Sequence, residues 1–76
     1  MNSRIVIDPL ICHGKPVIRG TRVLIANILA ELADDKTSDQ IIVEYPNITR
    51  EDIIAALEFS SEMAQFDTFS YHDLAV

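Results

Sequence analysis

The segment Gly14–Arg22, which reads GKPVIRGTR, decides how the first third of this 76-residue chain is shaped. It contains both glycines of the protein and three of its six basic side chains. Glycine enters positive φ at low cost, whereas Pro16 fixes its own φ and biases Lys15 toward an extended conformation. We therefore predict a shaped, positively charged connector at this position and not a flexible linker.

Two short extended segments are predicted around this connector. Arg4–Ile7 is rich in β-branched residues and is ended by Asp8 and Pro9, and a second β-branched pair, Val17–Ile18, follows Pro16. Two strands of this length are marginal by themselves in water. We expect them either to pack on helices or to extend a sheet across a dimer.

The spacing of apolar residues predicts a first helix over residues 24–34. Aliphatic side chains recur there at intervals of three and four positions, which is typical of one buried helical stripe. The stripe consists of Ile25, Ile28, Leu29 and Leu32.

A second helix is predicted over residues 38–45. Thr37 and Gln40 have the spacing of a capping box, in which each side chain accepts a hydrogen bond from the other residue's backbone N–H. Pro46 ends the helix because its ring cannot continue the helical backbone. A short turn then leads to the third helix.

The third helix, predicted over residues 50–66, begins at the N-cap Thr49 with Glu51 and Asp52 in its first turn. We expect its first half to direct three large aliphatic residues toward the core: Ile53, Ile54 and Leu57. A second apolar stripe along the helix is either part of one wide buried face or a second interface for another protomer or protein. Its members are Ala56, Phe59, Met63 and Phe66.

These elements predict one mainly α domain over residues 1–66, with a strand-containing arm at 1–23 and a C-terminal tail at 67–76. A short second helix, a tight turn and a longer third helix, preceded by a packing helix, match the outline of a helix-turn-helix domain. The outline is shared by many small helical proteins, so it does not establish DNA binding.

Charge is distributed unequally between the two parts of the chain. Residues 1–25 carry four basic side chains and one carboxylate, a net charge of +3, whereas residues 26–76 carry two basic side chains and eleven carboxylates, a net charge of −9. This asymmetry indicates that the two parts meet different partners, or each other across a dimer. We find no signal-peptide pattern and no membrane-length apolar run, and the single cysteine forms no intramolecular disulfide, so we expect a cytoplasmic protein.

The residues that could carry chemistry do not form a known catalytic pattern. Gly14-Lys15 lacks the spacing of a phosphate-binding loop, and Pro16 stands where a magnesium-binding hydroxyl is required. Cys12, His13 and the distant His72 do not have the spacing of a metal site. We therefore expect no enzyme activity, no metal and no cofactor.

Three separated blocks of the sequence resemble the bacterial domain-of-unknown-function family 433, over roughly residues 5–60. They are GKPVIRGTR, the helix stop Tyr45-Pro46, and the Thr49-capped helix start with Glu51-Asp52-Ile53. The resemblance implies a homeodomain-like helix-turn-helix with an N-terminal extension. Family members often carry glycine after the first helix, where this chain has Asp34-Asp35. Aspartate adopts the left-handed conformation more readily than most residues, so we expect it to replace that glycine structurally.

The resemblance also implies a function, because many proteins of this family are VapB-type antitoxins encoded beside PIN-like ribonuclease toxins. Such nucleases hold metal ions with clustered carboxylates, and arginine binds carboxylates through two parallel hydrogen bonds. Arg19 and Arg22 are the candidates for blocking such a site. They belong to a toxin- or DNA-contacting arm with four basic side chains: Arg4, Lys15, Arg19 and Arg22. Equally, Arg19 and Arg22 could pair with acidic helices of the same or a neighbouring chain.

The alternative function is a DNA-binding regulator without a toxin partner. We expect six residues at the start of the third helix to be exposed to a DNA groove: Thr49, Arg50, Glu51, Asp52, Ile53 and Ala56. Only Arg50 is basic among them, and the carboxylates would face phosphates, which disfavours this helix as the main DNA contact. A homodimer would double the basic arm and favour operator binding. A third interpretation is a structural protein-interaction module.

Overall fold

The computed structural model describes residues 2–66, which form three helices and a small antiparallel sheet. The elements, in chain order, are β1 (Ile5–Val6), β2 (Val17–Ile18), α1 (Ile25–Ala33), α2 (Ser38–Glu44) and α3 (Arg50–Phe66). The predicted mainly α fold with a strand-containing arm is confirmed. The predicted tail at 67–76 lies outside the described residues.

The sheet is centred on β2. Ile5 lies opposite Ile18 and Val6 opposite Val17 in an antiparallel register, so β1 is two residues shorter than predicted. On its other side β2 pairs with the chain just before α1, where the Ile18 N–H donates to the Val23 carbonyl at 3.0 Å. A second bond, from the Ile25 N–H to the Pro16 carbonyl at 3.0 Å, closes this pairing. The shaped connector thus forms the middle of the sheet.

The arm is part of the hydrophobic core. Most of the buried cluster is β-branched, which suits a small domain made of short strands and closely packed helices. Its members come from the arm and from all three helices: Ile5, Ile18, Val23, Ile25, Ile28, Ile41, Ile48, Ile53, Ala55, Ala56 and Phe59. Since Ile5 and Ile18 are almost fully buried and β1 contacts α3, the strands pack on the helices of their own chain. This is the first of the two alternatives expected for them.

The buried face of α3 differs from the predicted one. Ile54 and Leu57, expected to face the core, are about half exposed, whereas Asp52, Ala56 and Phe59 lie at the centre of the buried arc. At about 100° per residue, these three residues point to one side of the helix. Ile53 faces the core as predicted, and Ala56 and Phe59 belong to the buried face, which is the first of the two alternatives expected for their stripe. The prediction was wrong for Ile54 and Leu57, because their large aliphatic side chains give a hydrophobic signal although they lie outside the buried arc.

The two predicted caps at α2 and α1 are present. At α2, the Thr37 Oγ1 accepts from the Gln40 N–H at 3.2 Å and the Gln40 Oε1 accepts from the Thr37 N–H at 2.8 Å. At the end of α1, Asp35 has φ 64°. Its N–H donates to the Leu32 carbonyl, and the Lys36 N–H donates to the Glu31 carbonyl, which is the Schellman pattern. Asp35 therefore occupies the left-handed position that glycine commonly fills.

We expect Asp35→Gly to raise the free energy of unfolding by about 0.5–1 kcal/mol, because glycine relieves the left-handed strain of a residue with a Cβ. Urea unfolding followed by circular dichroism measures the change. Asp34→Gly is the matched control, since Asp34 has φ −87° and gains nothing from glycine. Equal effects of the two substitutions would contradict the assignment of strain to Asp35.

A cation joins the ends of α1 and α2. The Lys36 Nζ lies 2.5 Å from the Glu31 carboxylate and 3.5 Å from that of Glu44. The hydrogen bond from Lys36 holds the pKa of Glu31 below its ordinary value of 4.5, with the Glu44 side chain lowering it further. The Glu31 carboxylate in turn raises the pKa of Lys36 above 10.5.

These shifts predict how stability depends on pH. The contribution of Glu31 is present above pH 4.5 and is lost as the pH falls through its lower folded-state pKa; that of Lys36 is present below pH 10.5 and is lost as the pH rises through its higher folded-state pKa. Lys36→Met should therefore flatten the acid limb of the unfolding midpoint plotted against pH. The midpoints are measured by thermal denaturation between pH 3 and 7. An unchanged acid limb would show that this ion pair contributes nothing.

Within residues 2–66, no helix combines the length and the apolar character that crossing a lipid bilayer requires.

Candidate binding surface

Asp52 joins the arm to the start of α3. Its Oδ2 accepts from the Thr49 N–H at 2.9 Å, and the Thr49 Oγ1 accepts from the Asp52 N–H at 3.3 Å, so the two residues form a capping box. The other carboxylate oxygen, Oδ1, accepts from the Arg4 Nη1 at 3.0 Å. Asp52 is 7% exposed, so one nearly buried carboxylate both caps the helix and binds the arm.

Further hydrogen bonds hold the arm in place. The Arg19 Nε donates to the Ser3 carbonyl at 2.6 Å, and the Arg19 N–H donates to the Arg4 carbonyl at 2.8 Å. The Asn2 Nδ2 donates to the Ala55 carbonyl in α3 at 3.1 Å. Two of the four basic side chains predicted for partner contact, Arg4 and Arg19, therefore also make bonds within the chain.

The predicted shape of the connector is visible in the turn Ile18–Thr21. The Thr21 N–H donates to the Ile18 carbonyl at 3.0 Å, and Gly20, at the third position of this four-residue turn, has φ 78°. A type II turn requires positive φ at that position, which explains the glycine. The Thr21 hydroxyl donates to the Ile18 carbonyl at 2.7 Å and accepts from the Val23 N–H at 3.0 Å. The turn before Arg22 is therefore fixed by its own hydrogen bonds.

Arg22 lies at a shallow cleft between this turn and the connection from α2 to α3. The residues that line the cleft are Ile11, Gly20, Thr21, Arg22 and Asn47. Arg22 is exposed, and its guanidinium has no hydrogen-bond or ion-pair partner among residues 2–66. Lys15 is likewise exposed and unpaired within that range, but it does not line the cleft.

The predicted DNA-reading face of α3 is smaller than expected. Thr49 and Arg50 are exposed, and the Arg50 guanidinium lies only loosely against Asp39, at 3.8 Å. Ala56, however, is 0% exposed, and Asp52 and Ile53 are buried as well. These three residues face the core and cannot reach a DNA groove. The exposure that the DNA-binding alternative requires of them was therefore wrong, whereas the core position predicted for Ile53 is confirmed.

The residues predicted to form a second interface on α3 differ in their exposure. Phe59 belongs to the core, so its expected availability to a partner was wrong, whereas Met63 is half exposed. The side chain of Phe66 lies outside the described residues. Ile54 and Leu57 are the other large apolar side chains exposed on the described part of α3.

The described part of the chain contains no group of three or more histidine, cysteine or carboxylate side chains that could hold a metal ion. Cys12 is partly exposed and its thiol makes a long contact, 3.8 Å, with the Arg22 carbonyl. His13 is exposed, and His72 lies outside the described residues.

The fold and this surface define a small helical protein with a basic arm bonded to its third helix. The family described as "Protein of unknown function (DUF433)" matches residues 5–60 of the chain. The chain therefore belongs to the DUF433 family, as its three sequence blocks predicted. Neither a curated protein nor a solved structure matches it.

Three features of the surface were not found from the sequence. The role of Asp52 was visible in principle, because Thr49 and Asp52 have the spacing of a capping box, but the residue was interpreted as exposed. No sequence pattern near Asn47 indicates that this residue approaches the turn at Gly20. Leu10, which precedes the cleft residue Ile11, is 88% exposed. The sequence did not indicate this exposure, because an aliphatic residue in an apolar segment is expected to be buried.

We expect Asp52→Ala to lower the free energy of unfolding by roughly 2–3 kcal/mol, because it removes a helix cap worth about 1 kcal/mol and leaves a nearly buried site without its charged acceptor. Asp52→Asn keeps an acceptor for Thr49 and should cost less. Arg4→Met should cost at most about 1 kcal/mol, since the Arg4 side chain is half exposed. Urea unfolding measures all three, and Glu51→Ala is the control. A loss no larger for Asp52→Ala than for Glu51→Ala would refute the central role of Asp52.

Proposed function

We propose that this protein is an antitoxin-like protein of the cytoplasm that binds and inhibits a PIN-like ribonuclease. The observation that carries the proposal is the exposed guanidinium of Arg22, unpaired among residues 2–66, next to a hydrogen-bonded turn of a basic arm. A rigid loop loses little conformational entropy on binding, so a cation presented in this way is suited to a fixed target.

The inhibition we propose is electrostatic. Nucleases of the PIN-like kind bind their metal ions through clustered carboxylates, and a guanidinium satisfies a carboxylate with two parallel N–H donors. Arginine inserted among these carboxylates would compete with the metal ions and block the substrate. The acidic helices of the antitoxin would point away from the nuclease active site, because like charges repel there.

DNA binding is the second candidate function, and one observation favours it. The cleft at Arg22 includes Asn47, in the connection between α2 and α3. In helix-turn-helix proteins this connection leads into the helix whose first residues contact the bases of the major groove. A homodimer would double the arm's charge and allow operator binding for autoregulation. The acidic first turn of α3 and the net charge of −9 on residues 26–76 disfavour DNA as the principal partner.

The test is co-expression with a PIN-like nuclease encoded beside this gene, followed by co-purification and a ribonuclease assay. We expect a stable complex in which nuclease activity is reduced at least about tenfold, and Arg19→Ala/Arg22→Ala should weaken the complex because it removes both bidentate donors. Arg50→Ala, on the exposed start of α3, is the matched control and should leave inhibition intact.

A gel shift with operator DNA at several salt concentrations, on the same samples, separates the two candidates. DNA binding with a steep salt dependence, without any nuclease complex, would replace the antitoxin proposal with the regulator function. If the double variant inhibits the nuclease as well as the parent does, the role of the arginines is refuted. A gene neighbourhood without such a nuclease also contradicts the proposal.

A further inference from the structure

Three separate segments of the chain meet at the cleft beside Arg22. Ile11 comes from the loop after β1, Gly20, Thr21 and Arg22 come from the turn after β2, and Asn47 precedes α3. The Cys12 thiol contacts the Arg22 carbonyl, so the first two segments touch directly. A surface assembled from three segments far apart in sequence has a defined shape only in the folded protein.

The first of these segments has a strained backbone. Cys12 and His13 have φ of 49° and 58°, in the left-handed region, and Gly14 follows at 80°. A left-handed residue with a Cβ costs roughly 1–2 kcal/mol, and such strain concentrates at functional sites. The conformation is held by bonds from the Gly14 N–H to the Ile11 carbonyl at 3.0 Å and from the Lys15 N–H to the Cys12 carbonyl at 3.2 Å.

This strained loop exposes an apolar side chain next to the cleft. Leu10 is 88% exposed, although its N–H is fixed by the Asp8 carboxylate at 2.9 Å. The neighbouring Ile11 N–H donates to the Asp8 carbonyl, also at 2.9 Å. Leu10 contributes almost nothing to the hydrophobic core from this position. An exposed leucine, next in sequence to a residue of the cleft that also contains an arginine unpaired within residues 2–66, is a combination that suits a protein interface, where a buried apolar anchor lies beside a charged pair.

The four basic side chains of the arm are not equivalent. Arg4 is paired with Asp52 and Arg19 donates to the Ser3 carbonyl, so the side chains of both already make bonds within the chain. Lys15 lacks the planar fork of donors that binds a carboxylate at two points. Of the four, only Arg22 combines a guanidinium without a partner among residues 2–66 with a position at the cleft, which Asn47 also lines.

We infer that this cleft, together with Leu10, docks a protein surface in which a carboxylate stands beside an apolar pocket. Arg22 binds the carboxylate through two N–H donors, the Asn47 amide adds a third, and Leu10 fills the pocket. Charge complementarity selects an acidic partner, and the apolar anchor selects a protein over a phosphate backbone, which has no pocket for leucine. The inference rests on the proposed antitoxin function and assigns its partner contact to Arg22 and Leu10.

The experiment measures the affinity of single variants for the purified PIN-like nuclease encoded beside this gene, by isothermal titration calorimetry. We expect Arg22→Gln and Leu10→Ser each to weaken binding at least about 30-fold, as hot-spot residues do. Arg50→Gln, at an exposed arginine outside the arm, and Val43→Ser are the matched controls and should change affinity less than about threefold. Val43 on α2 is 82% exposed, so it matches the exposure of Leu10 at another site.

Two further measurements keep the result interpretable. Thermal unfolding confirms that the exposed substitutions leave the fold intact, and Arg22→Lys keeps the charge while removing the fork, so it should bind more weakly than the parent. Tight binding by the parent, with Arg22→Gln and Leu10→Ser unaffected or no weaker than the controls, overturns this inference and leaves the proposed function standing. No binding by the parent overturns both. The inference is also overturned if Arg22→Gln weakens binding to duplex DNA while binding to the nuclease is unchanged.

Discussion

The fold depends on the carboxylate of Asp52, which accepts hydrogen bonds from two parts of the chain that are far apart in sequence. One oxygen caps α3 through Thr49, and the other binds Arg4 in the arm. A nearly buried carboxylate is unfavourable unless its acceptor sites are satisfied, so each of these bonds supports the other. The position of the arm and the start of the longest helix are therefore determined together.

The contact with Asp52, together with the bonds of Asn2 and Arg19, holds the arm where the sheet contributes to the core. Ile5 and Ile18 pack against the helices, and β2 has hydrogen-bonded neighbours on both sides. The turns that leave the sheet consequently start from rigid positions. Arg22 and Leu10 are placed by this framework, although neither contributes much to it.

The sequence was sufficient to predict the helices and strands but not the contacts between them. Helix limits follow from local signals, such as the capping box at Thr37 and the left-handed Asp35, which act within a few residues. The orientation of α3 depends on which side meets the arm, and this is a long-range property. Asp52 lies on the buried side because Arg4 and the sheet are there, and a carboxylate gives no hydrophobic signal for burial. The periodicity through Ala56 and Phe59 marked the same side but left open whether it meets the core or a partner. The cleft at Arg22 could not be predicted for the same reason, since Ile11 and Asn47 approach it only after folding.

The long separation between the arm and its partners has a consequence for synthesis. Arg4 bonds to a residue 48 positions later, and Asn2 to one 53 positions later. The ribosome produces the arm before α3, so the arm has no binding site until the residues between them have been made. Contacts of this span close late in folding. The arm therefore stays undocked while the intervening segment is made, and the cleft at Arg22, whose turn forms locally, gains its last wall only when Asn47 has followed.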